Sequence, residues 1–284
     1  MPAMHRRNLL RRAGLGLLGV TGLYGYATRL EPHWLAVNRY DLPLAKLPAS
    51  LHHKTIVHLS DLHVGSTDLD YLRRSMRRVR DLRPDLLLLT GDFIDRASNR
   101  FERDLEIVLA ELPSPPLGAF ACLGNHDHGL NWRQEEVAQK VCTVAEDRGI
   151  RVLRDKQTDV LGLPIFGMND FWTPGFQWER IMISAMRDKP GLCLCHNPDV
   201  ADLSVWDDFR GVILSGHTHG GQCKPPFLPP PLLPVKNRRY TSGFFDIDED
   251  RTMFINRGVG HTLKARFNCR PEVVVFRLVE ATSV

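Results

Sequence analysis

Five short clusters of metal-type donors, each at the end of an apolar run, constrain this chain more than any other feature. They are Asp61-Leu62-His63, Gly91-Asp92, Gly124-Asn125-His126-Asp127, His196-Asn197 and Gly216-His217-Thr218-His219. The preceding runs, at 55–60, 85–90, 117–123, 191–195 and 211–215, are short and rich in Leu, Ile and Val. All read as strands, and the unbroken Leu86-Leu87-Leu88-Leu89 run within 85–90 fits a strand buried on both faces. Helical patterns lie between them: Asp68 caps a stripe of Leu69, Leu72, Met76 and Val79 that ends before Pro84. Further helices are expected over 98–112, 132–148 and 176–187, and further strands at 150–154, 159–166, 240–247, 252–256 and 272–279. This alternation predicts one layered α/β domain, with functional groups gathered beyond the carboxyl ends of its strands.

Carboxylate, imidazole and amide oxygen repeated in this way suit a pair of divalent cations about 3.5 to 4 Å apart, which clamp a phosphoryl group and generate hydroxide near neutral pH. Two cations that close need an anion between them. Asp92, following a buried strand and a glycine that permits a sharp exit, suits that bridge. Asp61 and His63 lie two apart on an extended segment and can converge on one metal. His217 and His219 share that spacing, and each can reach a different metal.

The ordered set resembles the calcineurin-like metallophosphoesterases, in which an Asp-x-His pair, GD, GNH followed by an acid, a lone His and GHxH recur in this order. The resemblance spans Lys54 to about Gln222. It implies a layered sandwich of two mixed β-sheets flanked by helices, and a binuclear centre of Mn, Fe or Zn. One metal would take Asp61, His63, Asp92 and His219, and the other Asp92, Asn125, His196 and His217. His126 would stand beside the phosphate without binding metal, as general acid or charge stabiliser. Gly91 to Arg96 also resembles the GDxxDR block of phosphoprotein phosphatases. That likeness makes Asp95 a partner for His126 and Arg96 a phosphate contact; the ordinary alternatives are a turn carboxylate and a solvent-facing base.

The charge of +4 is an N-terminal property: residues 1–46 hold seven bases against Glu31 and Asp41, and the remainder carries one acid in excess. A near-neutral body argues against a nucleic-acid binder. His5-Arg6-Arg7-Asn8-Leu9-Leu10-Arg11 resembles a twin-arginine signal, and the uncharged stretch 13–28 resembles its apolar region. Residues 1–27 are therefore expected as an export signal or retained anchor, 28–53 as a connector broken by prolines, and 54–284 as the metallophosphoesterase domain. The expected location is the periplasm or outer face of the cytoplasmic membrane.

Within the family the likeness is to an exported or membrane-anchored phosphodiesterase-like branch, with Leu214 to Gln222 and Asn268-Cys269-Arg270-Pro271-Glu272 among its blocks. The function implied is hydrolysis of phosphodiesters or phosphomonoesters at the envelope by metal-generated hydroxide, on a substrate free or linked to lipid or wall. Two alternatives are a pyrophosphate hydrolase of a UDP-linked diacylated sugar in lipid A synthesis and a non-catalytic metal-binding protein. Residues 222–234 hold six prolines among Phe227, Leu228, Leu232 and Leu233, and read either as an apolar lip over the site or as a rigid structural loop. The arginines at 73, 74, 77, 78 and 80 read as a solvated helix face or a contact for anionic headgroups. Cys193 and Cys195 are expected on one strand face as buried thiols, and His58 as a core histidine.

Overall fold

The computed structural model describes residues 2–177, 190–206 and 209–281. Its strands form two six-stranded mixed sheets among the described residues. In the first sheet the order is β1 (Ala36–Leu44), β12 (Glu272–Glu280), β2 (Thr55–Leu59), β3 (Leu86–Thr90), β4 (Ala119–Cys122), β5 (Ile150–Val152). The second runs β10 (Gly243–Asp246), β11 (Arg251–Ile255), β9 (Gly211–Ser215), β8 (Gly191–Leu194), β7 (Leu163–Gly167), β6 (Lys156–Val160). From β2 to β5, and from β11 through β9 and β8 to β7, every neighbour is parallel. The donor-bearing carboxyl ends of both sheets therefore open on one rim.

Side-chain alternation explains why the central strands are apolar throughout. Leu86 and Leu88 of β3 point between the sheets, with Phe120, Leu192, Leu194 and Leu214. Leu87 and Leu89 face the other way, against Leu72, Met76 and Val79 of α2 (Leu69–Asp81), Leu105 and Val108 of α3 (Phe101–Leu109), and Val141 of α4 (Glu135–Glu146). A third cluster covers the outer face of the second sheet, where Cys193 and Cys195 lie buried near Trp206 and Phe209. All six cysteines are free thiols.

Several expectations change. The stretch expected as a connector contributes β1, paired in parallel with β12 over its full length. Pro43 is tolerated there because β1 is an edge strand with one side free of ladder bonds. The single strand expected at 159–166 is a hairpin: Leu161 and Gly162 both have positive φ and form its two-residue turn, with Asp159 accepting from the Gly162 amide at 2.7 Å. The helices at 98–112 and 132–148 are shorter, as α3 and α4. The helix expected at 176–187 falls mostly outside the described residues. On α2, Arg73 and Arg77 bond the Glu111 carboxylate at 2.9 and 3.0 Å and Arg80 lies 3.8 Å from it, so three of its five arginines are engaged within the protein.

At the N-terminus α1 (Pro2–Gly25) continues through one π-helical turn to Leu30. No helix among the described residues is long and apolar enough to cross a membrane.

Candidate metal centre

The loops after β2 and β3 lie side by side. Asp61 N donates to Gly91 O at 3.0 Å, His63 N to Asp92 O at 3.0 Å, and Val64 N to Phe93 O at 2.9 Å, extending the parallel ladder past the strands. Asp127, buried, cross-ties this layer to the next loop by accepting from the amides of Gly124 and Ile94 at 2.9 and 3.1 Å. Burial, then the neighbouring Asp92, pushes its carboxyl up to about 7. Gly124 must be glycine because a Cβ there would overlap the Asp92 carboxylate. Asp61, His63, Asp92, His217 and His219 all have left-handed backbone, with φ between 47° and 70°. Non-glycine residues hold that conformation at a cost, and they do so mostly where a site demands it.

These turns gather the donors into two buried groups, Asp61 with His63 and His219, and Asp92 with His196 and His217, and a third, partly open one of His63 with Asp95 and His126. Asp92 Oδ2 stands between the two buried groups, 3.4 Å from His63 Nε2 and 3.1 Å from His196 Nε2. Asp61 Oδ1 lies 3.2 Å from His219 Nε2. The first sheet supplies Asp61, His63, Asp92 and Asn125; His196, His217 and His219 come from the second.

Cations fit this arrangement. His196 donates from Nδ1 to the Thr90 carbonyl at 2.6 Å, and His217 from Nε2 to the Pro234 carbonyl at 2.8 Å. Their other nitrogens, His196 Nε2 and His217 Nδ1, then face each other as bare lone pairs 3.2 Å apart. His63 Nε2 and His219 Nε2 converge in the same way at 3.0 Å. Such pairs repel unless a proton or metal lies between them. Burial opposes charge throughout, yet the carboxylates of Asp61, Asp95 and Asp92 raise His63 to about 9, and Asp92 raises His196 well above its ordinary value. Burial drives His217 down to about 3, aided by His196, and lowers His219 strongly. Each facing pair thus accommodates one positive charge between two nitrogens. Asn125 Oδ1, buried without a hydrogen-bond partner, adds an orphan acceptor on the same rim.

The remaining expected residues sit on the open side. His126 is half-buried, its amide bonded to Asp92 Oδ1 at 3.0 Å and its Nδ1 to the Asp95 carbonyl at 2.6 Å. The main chain of Asp95, not its carboxylate, therefore orients His126. That carboxylate lies 3.7 Å from His63 Nδ1 and accepts from Arg96 Nε at 2.9 Å. Burial opposes the charge, but His63 and Arg96 outweigh it and hold Asp95 down at about 2. The Arg96 side chain is 81% exposed and folded onto Asp95.

Sequence reasoning missed several neighbours. Arg266 is buried and donates to the carbonyls of Cys269, Arg257, Gly258 and Gly260, with Nη2 3.3 Å from His219 Nδ1. Glu31, also buried, accepts from the amides of Asn268 and Cys269, securing the same loop. Trp172 packs edge-on against His217 at 4.4 Å and stacks with Trp132. With Leu232, Leu233 and Leu263, these tryptophans wall a cavity of about 520 Å³ that opens over His126 and His217. No local pattern marks an arginine, a glutamate or two tryptophans for such positions.

Residues 54–221 match the family model described as calcineurin-like phosphoesterase. Among curated relatives, the chain is 30% identical to the UDP-2,3-diacylglucosamine pyrophosphatase LpxG of Chlamydia muridarum, over 89% of this chain and 92% of that protein. It is 31% identical to the uncharacterized metallophosphoesterase YkuE of Bacillus subtilis, over 98% and 99%. It is 30% identical to the phosphodiesterase YaeI of Escherichia coli, over 96% and 99%. A family model over more than half the chain, and relatives alike along nearly all of it, agree with the donor geometry: the chain belongs to the calcineurin-like phosphoesterase family and is a metal-dependent phosphoester hydrolase.

Proposed function

We propose that this hydrolase uses two divalent ions, Mn, Fe or Zn, to cleave a phosphodiester or phosphomonoester whose organic part is lipid-like, at the cell envelope. The cavity carries this reading: its apolar wall begins at the candidate ligands, so a phosphoryl group held there would leave its apolar substituent against Trp132, Trp172 and Leu232. The ions would be held by Asp61, His63, Asp92 and His219 on one side and by Asp92, Asn125, His196 and His217 on the other. When bound, they would polarise the phosphoryl oxygens and acidify water. His126, its Nδ1 held by the Asp95 carbonyl, lines the cavity and would protonate the departing oxygen from its other ring nitrogen. Arg96 would have to leave Asp95 to reach a phosphate, and its exposure permits that swing.

A second reading is pyrophosphate cleavage in a nucleotide-linked, diacylated sugar, the substrate named for the Chlamydia relative. The same apolar cavity favours it. The paired arginines at the N-terminus favour a folded, exported enzyme with residues 1–27 as signal or anchor, which would part the site from a cytoplasmic nucleotide sugar. Reporter fusions at the C-terminus distinguish the two: a signal only from the cytoplasmic face would overturn the envelope location.

The primary test is hydrolysis of bis(p-nitrophenyl) phosphate and p-nitrophenyl phosphate by the full chain, stripped of metal and reloaded with Mn, Fe or Zn. Metal-dependent turnover that disappears in Asp92→Asn is expected. Folded protein without turnover under any metal on these esters, or on a lipid phosphoester, would overturn the proposal.

A further inference from the structure

The cavity mouth and the end of α1 form one continuous surface. Arg266 N bonds Ala27 O at 2.8 Å, Tyr26 packs edge-on against Phe267 at 6.3 Å, and Glu31 caps the amides of Asn268 and Cys269. The loop they fix is strapped in turn to the site. Gln222 donates to Leu263 O and Ala265 O at 3.1 and 3.2 Å, and Lys224 N donates to Phe267 O at 2.8 Å. From Lys224 the proline-rich loop runs out and returns to line the cavity at residues 231–234.

Large apolar side chains stand out along this line. Phe227 is fully exposed, and Leu30, Leu228, Leu232 and Leu263 are more than half exposed. On α1, Leu15, Leu17, Leu18, Val20 and Tyr24 are equally bare. Scattered exposed leucines are ordinary, but a row of them around the mouth of an apolar cavity is not. The charge is one-sided as well. The segments that meet at the mouth, 26–30, 217–234 and 257–271, contain no Asp or Glu, and the adjoining Glu31 is buried with its carboxylate taken up by the Asn268 and Cys269 amides. Lys224, Lys264 and Arg29 are exposed among the apolar residues.

We infer that this rim, formed by the end of α1, Phe227, Leu228, Lys224 and Lys264, docks the enzyme on an anionic phospholipid bilayer, so that the cavity opens into the lipid interface. A second copy of the chain is a poor occupant, because it would bring the same acid-free face against this one. A free polyanion would have no use for the leucines and Phe227. Basic residues flanking inserted aromatic and aliphatic side chains are what an interfacial anchor needs. The inference deepens the lipid-substrate reading above and rests on it only for the envelope location.

Flotation of the full chain with vesicles tests it. The unaltered protein is expected to bind vesicles of phosphatidylcholine with phosphatidylglycerol, and to bind pure phosphatidylcholine at least about tenfold less. Phe227→Ser with Leu228→Ser, and separately Lys224→Gln with Lys264→Gln, should each reduce the partition coefficient on the order of tenfold while hydrolysis of a soluble nitrophenyl ester stays unchanged. Phe227→Trp supplies a reading that α1 cannot mimic: its added indole emission should be quenched by brominated acyl chains beyond the quenching of the native tryptophans. Rim variants that partition like the unaltered protein, or an indole at 227 that bromolipid leaves untouched, would overturn the docking surface. Because soluble-ester turnover is followed in the same samples, that failure is distinct from a failure of the phosphoesterase reading, which would appear as loss of turnover with docking intact.

Discussion

His126 and Asp95 divide their labour in a way the residue types alone do not reveal. His126 takes its orientation from a main-chain carbonyl, so no side-chain change at Asp95 removes that bond directly. Replacing His126 with Ala should slow an alkyl phosphoester by about 10² to 10⁴, the usual range for a lost proton donor, and slow a nitrophenyl ester far less. Equal losses on the two leaving groups would refute proton donation. Asp95→Asn acts elsewhere, since its carboxylate faces His63 Nδ1. The expected effect is an increase of roughly 10- to 100-fold in the metal concentration needed for half-maximal activity, with the leaving-group dependence of the wild type retained. A changed leaving-group dependence in Asp95→Asn would instead tie that carboxylate to His126. At this scale the donors were legible because metals and phosphate demand particular atoms at strand ends. Arg266 and Glu31 were not, because their importance lies in carbonyls and amides brought to them by segments far away in the chain.

Among the elements, β3 shows what a run of leucines encodes: two faces and two cores, Leu86 and Leu88 in one and Leu87 and Leu89 in the other. The hairpin of β6 and β7 was hidden because Leu161 takes a left-handed turn position more often filled by Asn or Gly. The edge strand β1 was hidden behind Pro43. His58 on β2 and Thr90 at the end of β3 form a buried polar pair between the sheets, His58 Nε2 lying 2.9 Å from Thr90 Oγ1. Burial lowers His58 to about 3, against the pull of Asp61. The folded state therefore keeps His58 neutral while the unfolded chain protonates it below about 6.5, so stability falls with pH between about 6.5 and 3. At pH 5 this is a loss of about 2 kcal/mol relative to neutral pH. His58→Leu should flatten that limb by close to one proton when the denaturant midpoint is followed against pH. An unchanged slope would show that His58 is not buried neutral.

Considered as a whole, the molecule is two sheets joined by the donor set at the carboxyl ends of their central strands. Ligands from one sheet alone would stiffen only that sheet. Here any ion held by Asp92 together with His196 or His217 ties the two halves. Metal loading should therefore raise the melting temperature, by an amount equivalent to about 4 kcal/mol when free metal is a thousandfold above its dissociation constant. Amide exchange should slow in β8 and β9 as well as in β2 and β3. Protection confined to one sheet would contradict a shared centre.

The pairing of β1 with β12 carries a further consequence. Ala36 lies beside Glu272, and the ladder runs on to Leu44 beside Glu280. In ribosomal synthesis β12 is made some 236 residues after its neighbour, and it also separates β1 from β2. The first sheet cannot close until nearly the whole chain has left the exit tunnel, since a contact of such separation must wait for its partner to exist. The N-terminal arginines thus emerge long before the body can finish folding, and for that interval they precede an unfinished protein. A machinery that accepts only completed cargo would have to hold such a chain, or arrive late; a nascent chain arrested before residue 272 and probed by limited proteolysis would show residues 36–44 cut freely, and the released chain would show them protected.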